Sequence, residues 1–185
     1  GEVNGQEFSK KQCYLEALKL DPNNANAWYN LGSEGGGKVN GQEFSKKQCY
    51  LEALKLYPNN AAAWNYLGSE GGGEVNGQEF SKKHCYIKVV ELDPNNAFAW
   101  NYLGYQGGGE VNDEEFSRKQ CYLEALKLDR NIAAAWNGLG TQGGGEVNDQ
   151  EFSIKQCYRE ALRLDPNYAV VWKNLGYFEG QLGLF

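Results

Sequence analysis

The sequence has no methionine, one histidine, four prolines and no apolar run near the ~18 residues that a membrane span needs. Each shortage excludes something. A single histidine, His84, with no Cys-x-x-Cys, leaves no zinc ligand set. Scarce proline without a Gly-X-Y period excludes collagen. A formal charge of −6 lacks the basic excess of a generic nucleic-acid binder. No charged-then-apolar leader is visible, so an intracellular, cytoplasmic setting is the expectation, with no membrane and no nucleic acid as partner. What the chain does have is 24 glycines in 185 residues, well above the average share of about 7%. Alone, that would suggest looseness. Five Trp, twelve Tyr and eight Phe oppose it, because burying so many rings offsets the entropy of ordering the chain.

Self-comparison organises the chain. Trp28, Trp64, Trp100, Trp136 and Trp172 are 36 residues apart, and the five cysteines, Cys13 to Cys157, keep the same step. So do Phe8, Phe44, Phe80, Phe116 and Phe152, and Gly32, Gly68, Gly104, Gly140 and Gly176. A unit this small cannot bury its own apolar face, so neighbours must stack. The expectation is one repeat domain, 1–185, with units 1–34, 35–70, 71–106, 107–142 and 143–185.

Each unit holds two helical patterns. Ala27, Trp28, Leu31 and Gly32 fall on one helix face. Asn24 suits its N-cap, and Gly35 of the Gly-Gly-Gly triplet suits a left-handed stop. Cys49, Tyr50, Ala53, Leu54 and Leu56 form the second stripe. It opens with a capping box of Ser45 and Gln48, with Phe44 and Cys49 placed for a hydrophobic staple. Only His84 changes the capping partner. Asp21-Pro22 closes this helix in the first unit. Between the helices, Val39-Asn40-Gly41-Gln42 reads as a tight hairpin, because both central residues of that turn need positive φ. Asn112-Asp113 and Asn148-Asp149 tolerate the same turn.

At these residues the chain resembles the tetratricopeptide repeat (TPR) family. The matching elements are Trp28-x-x-Leu31-Gly32, Tyr50-x-x-Ala53 and Leu20-Asp21-Pro22-Asn23-Asn24. The longer unit and its Gly-x-Val loop are also similar to the related Sel-like repeats. Three things depart from the usual pattern: the 36-residue length, the glycine triplet in place of an aromatic helix end, and lysine (Lys46) where a small residue normally opens the second helix. The resemblance implies an all-α fold, a right-handed α-solenoid of antiparallel helix pairs with a small hairpin inside each unit. It also implies a groove, lined by the Trp helices, that holds a protein or peptide.

The positions that vary between copies are the candidates for that groove: Asn26, Asn30, Tyr66, Phe98, Tyr102, Tyr105, Lys173, Asn174 and Tyr177. Binding and drift among duplicated surface positions both account for such variation. Lys173 and Asn174 are all that resembles the clamp some family members use for a peptide carboxylate. The cysteines read as small core residues, since equivalent helices about 9–10 Å apart are too distant for disulfides. His84 reads as a capping group. No nucleophile–base pair repeats at useful spacing, so no enzyme, metal or cofactor is expected. Lysine pairs such as Lys46-Lys47 open helices at the unfavourable end of the dipole. They read as partners for the glutamate row just before them, or as a groove for an acidic ligand.

The first helix of the chain is a second-type helix, and the last is a Trp helix continuing into Phe178, Leu182, Leu184 and Phe185. These are candidates for self-association. An exposed last helix stacking on the first helix of another copy would build a head-to-tail filament.

Overall fold

The computed structural model describes residues 2–3 and 6–182, with side chains from 7 to 180. It divides into two compact units, Gly1–Leu92 and Asp93–Phe185. The first unit runs β1 (Glu2–Val3), β2 (Gln6–Glu7), α1 (Lys10–Leu20), α2 (Ala25–Ser33), β3 (Gly36–Val39), β4 (Gln42–Ser45), α3 (Lys46–Leu56), α4 (Ala61–Ser69), β5 (Gly72–Val75), β6 (Gln78–Ser81) and α5 (Lys82–Leu92). The second runs α6 (Ala97–Tyr105), β7 (Gly108–Val111), β8 (Glu114–Ser117), α7 (Arg118–Leu128), α8 (Ala133–Thr141), β9 (Gly145–Val147), β10 (Gln150–Phe152), α9 (Ile154–Leu164) and α10 (Ala169–Leu182). Within each unit every helix packs on its sequence neighbours, and strands pair only within their own hairpin. Each unit is therefore a helical-repeat solenoid segment. Among the described residues, no helix is long and apolar enough to cross a membrane.

The local signals act as their chemistry dictates. Asn24, Asn60 and Asn96 accept from the backbone N–H three residues on, each at 3.0 Å. Ser9, Ser45, Ser117 and Ser153 form complete capping boxes with their glutamines. At His84 the ring replaces the amide: Ser81 N–H donates to Nδ1 at 3.4 Å, and His84 N–H donates to the Ser81 hydroxyl at 3.3 Å. The asparagine cap does not recur at every Trp helix. Ile132, like Tyr168 before α10, stands where asparagine caps the first three Trp helices, and α8 starts with no side-chain cap.

The hairpins form around two-residue turns in which both residues are left-handed, as at Asn40 (φ 47°) and Gly41 (φ 88°), or Asn112 (49°) and Asp113 (65°). Val39 pairs with Gln42 and turns its side chain into the core, 4% exposed. The same register sets Glu74 opposite Glu79, Glu110 opposite Glu115 and Glu146 opposite Glu151, all on the exposed side.

The glycine triplet does different work at each place. Gly71 ends α4 in left-handed geometry (φ +94°), with open space around it. Gly72 opens β5 with φ +87°, and a Cβ there would lie 2.1 Å from the Phe80 carbonyl oxygen. A side chain at Gly71 meets only the backbone penalty, whereas one at Gly72 also drives the hairpin strands apart. Gly71→Ala is expected to lower stability by about 1 kcal/mol and Gly72→Ala by about 3 kcal/mol or more. Urea midpoints of the two variants against the parent chain check this.

Candidate functional site

The framework of every site is a tryptophan. Trp28 Nε1 donates to the Pro22 carbonyl at 2.8 Å, and its ring meets Phe44 of the next hairpin with centroids 4.7 Å apart at 58°. Trp64 repeats the pattern with Pro58 (2.6 Å) and Phe80 (4.6 Å). In the second unit Trp100 uses Pro94 and Phe116, and Trp136 uses the Arg130 carbonyl and Phe152. Because the acceptor is a backbone carbonyl, Arg130 serves as well as proline. These four tryptophans are at most 6% exposed. Trp172 keeps its bond to the Pro166 carbonyl but is 55% exposed. The Phe44 ring of the expected staple thus packs on Trp28, within the cluster that also holds Cys49.

The groove candidates separate. In the first unit Asn26 is exposed on α2 and Asn30 is half-buried. Tyr66 is engaged: its ring stacks on Tyr50 at 5.0 Å and 10°, with Tyr29 at 6.0 Å. Burial and the neighbouring tyrosines push the Tyr50 phenol well above its ordinary value, and its hydroxyl is buried without a hydrogen bond. In the second unit, Phe98, Tyr102 and Tyr105 follow i, i+4, i+7 spacing along α6. They are 59%, 40% and 72% exposed.

Lys173 is exposed, and Asn174 donates from Nδ2 to Asn137 Oδ1 at 3.0 Å. Asn174, Tyr177 and Phe178 of α10 come together with Ile154 and Tyr158 of α9 and the end of α8 around a cavity of about 350 Å³. Sequence reading missed Ile154 and Tyr158 as part of this place. The signal available was Asn174 standing where another copy has Tyr66. Among the self-association candidates, Phe178 is half-buried against this cavity. Leu184 and Phe185 lie outside the described residues, as does the side chain of Leu182, at the end of α10.

Two of the lysines at the helix starts have a different partner from the one expected. Lys46 pairs with Glu70 at 3.5 Å and Lys155 with Glu179 at 2.5 Å, rather than with the glutamates just before them. The helices of a pair run antiparallel, so a lysine at the start of α3 lies against the carbonyl end of α4. That end carries partial negative charge, which offsets the unfavourable placement on its own helix. These half-exposed pairs contribute at most about 0.5 kcal/mol each.

All five cysteines are free, and Cys49, Cys85, Cys121 and Cys157 are buried. Cys13 is exposed, which departs from the reading of all five as core residues. The later cysteines lie against the Trp helix just before them in sequence, as Cys49 does against Gly32 and Cys85 against Gly68. Burial pushes the Cys49 thiol up to about 11 and the Cys85 and Cys157 thiols up to about 12. Among the described residues no three His, Cys, Asp or Glu side chains gather as a metal site.

Helix pair, hairpin, helix pair, each pinned by one tryptophan, defines a class: helical-repeat proteins. Two observations support a TPR-type repeat family. The family model for the TPR repeat matches residues 12–33, and the same helix-turn-helix layout recurs along the rest of the described chain. No curated protein matches the chain.

Two outcomes follow for the thiols. At about pH 8, a disulfide reagent should titrate one fast thiol per folded chain, lost in Cys13→Ser, and all five after denaturation. Burial raises the folded-state values of Cys49, Cys85 and Cys157 above the ordinary 9.0, so their contribution is full below pH 9.0 and is lost as pH rises through about 11 to about 12. Thermal midpoints should be level below pH 9.0 and fall above it.

Proposed function

We propose that the chain is a non-catalytic scaffold that binds other protein. The observation that carries this reading is the pair of rings Phe98 and Tyr105, 59% and 72% exposed on α6. A monomeric surface rarely leaves such rings in water without use, and aromatic residues dominate binding hot spots. TPR-type repeats typically bind protein partners, which supports the same reading. The setting we assign is intracellular and cytoplasmic; five free thiols fit a reducing compartment.

A second reading is structural: copies stacking head-to-tail. Its support is Trp172, 55% exposed where four equivalent rings are covered by a phenylalanine of the following hairpin. Phe8 of another copy sits at the matching repeat position.

Selection of displayed peptides on the immobilised chain, followed by Phe98→Ser/Tyr105→Ser, separates the two readings. The scaffold reading expects peptides that lose binding by about tenfold or more in the variant, with its thermal midpoint kept. Peptides indifferent to the variant, or none selected, count against it. Sedimentation that grows with concentration and collapses in Trp172→Ser supports stacking; a concentration-independent monomer removes it.

A further inference from the structure

Repeat symmetry makes the chain its own reference for the cavity on α10. Residues 108 apart are equivalent: Tyr50 and Tyr158, Tyr66 and Asn174, Lys46 and Ile154, Glu70 and Phe178. In the first unit this place is occupied from within. The Tyr66 ring stacks on Tyr50 at 5.0 Å and 10°, and Lys46, 5.5 Å above the Tyr66 ring, pairs with Glu70 across it. In the second unit every one of those elements is changed except the tyrosine beneath. Asn174 carries no ring, and its amide is held sideways on Asn137. The charged lid is replaced by Ile154 and Phe178, both facing a cavity of about 350 Å³ that reaches Tyr158.

Loss of the ring alone does not leave a cavity. At Gly138, the equivalent position one repeat earlier, Tyr122 moves over the bare helix, so that a Cβ on Gly138 would lie 2.4 Å from Tyr122 Cζ. At Asn174 the side chain props the space open. Tyr158 is 5% exposed and lines the floor of this cavity.

We infer that the cavity between α8, α9 and α10 is a socket for one tyrosine-like side chain of a protein partner. The ring takes the place that Tyr66 fills in the first unit, Ile154 and Phe178 close over it, and the polar atoms of Tyr158 and Asn174 meet its hydroxyl. This deepens the scaffold reading and rests on it for the source of the ring.

The probe is p-cresol, the tyrosine side chain alone, titrated into the intact chain and followed by amide NMR. Saturable shifts at Gly140, Thr141, Ile154, Tyr158 and Asn174 are expected, with a dissociation constant of about 1 mM, ordinary for so small a ligand. Asn174→Tyr, which restores the internal ring, should abolish them. Ile154→Lys/Phe178→Glu, which restores the charged lid without touching the floor, should weaken binding by about tenfold and keeps the test open if the first variant does not fold. Absence of saturable shifts at these residues, or equal shifts in a folded variant, overturns the socket. A chain that selects peptides through α6 yet ignores p-cresol overturns the socket alone and leaves the scaffold reading standing.

Discussion

Everything in this molecule hangs on a buried indole. One edge of each tryptophan donates to a carbonyl six residues upstream, and one face receives a phenylalanine from the hairpin that follows. A single side chain thereby fixes the loop before its helix and the hairpin after it. A phenylalanine could supply the apolar contact but not the N–H, so the turn carbonyl would lose its partner, at about 1 kcal/mol. The aromatic pair adds about 1 kcal/mol beyond burial. Around this pin the close-packing glycines let rings approach: a Cβ on Gly32 would sit 2.7 Å from the Tyr50 ring, and one on Gly140 2.6 Å from Tyr158.

Much of the scaffold can be read from the residues. Asn24 at its cap, Ser45 with Gln48, and Asn40-Gly41 at its turn are local interactions, and their geometry is decided within a few residues of chain. The 36-residue step then multiplies them. What depends on three helices meeting is not legible in the same way. Lys46 bonds to Glu70 because its helix runs against the end of the next, a fact about direction rather than about neighbours in sequence. The stack of Tyr66 on Tyr50 follows from where two rings project. Space lies open beside Asn174 but is filled by Tyr122 at Gly138, a difference that depends on where neighbouring side chains project.

Candidate binding residues were chosen because they vary, and variation marks several different situations. Tyr66 varies and is consumed by internal stacking. Phe98 and Tyr105 vary and stand in solvent. Asn174 varies and shapes an opening lined by Ile154, which also varies, and Tyr158, which is the same in every copy. Substitution within an otherwise uniform repeat therefore gives places where function could enter, while exposure and packing sort them.

The hairpins carry one further consequence. A two-stranded ribbon has two unsatisfied edges, and ribbons repeated at fixed intervals are natural material for lateral zippering between molecules. Here four of them set glutamate against glutamate across the strands, at a small cost to each ribbon. Another ribbon approaching edge-on would bring its own carboxylates into the same column. The repetition that makes the array easy to extend along its helices thus also makes it resist growth sideways as sheet.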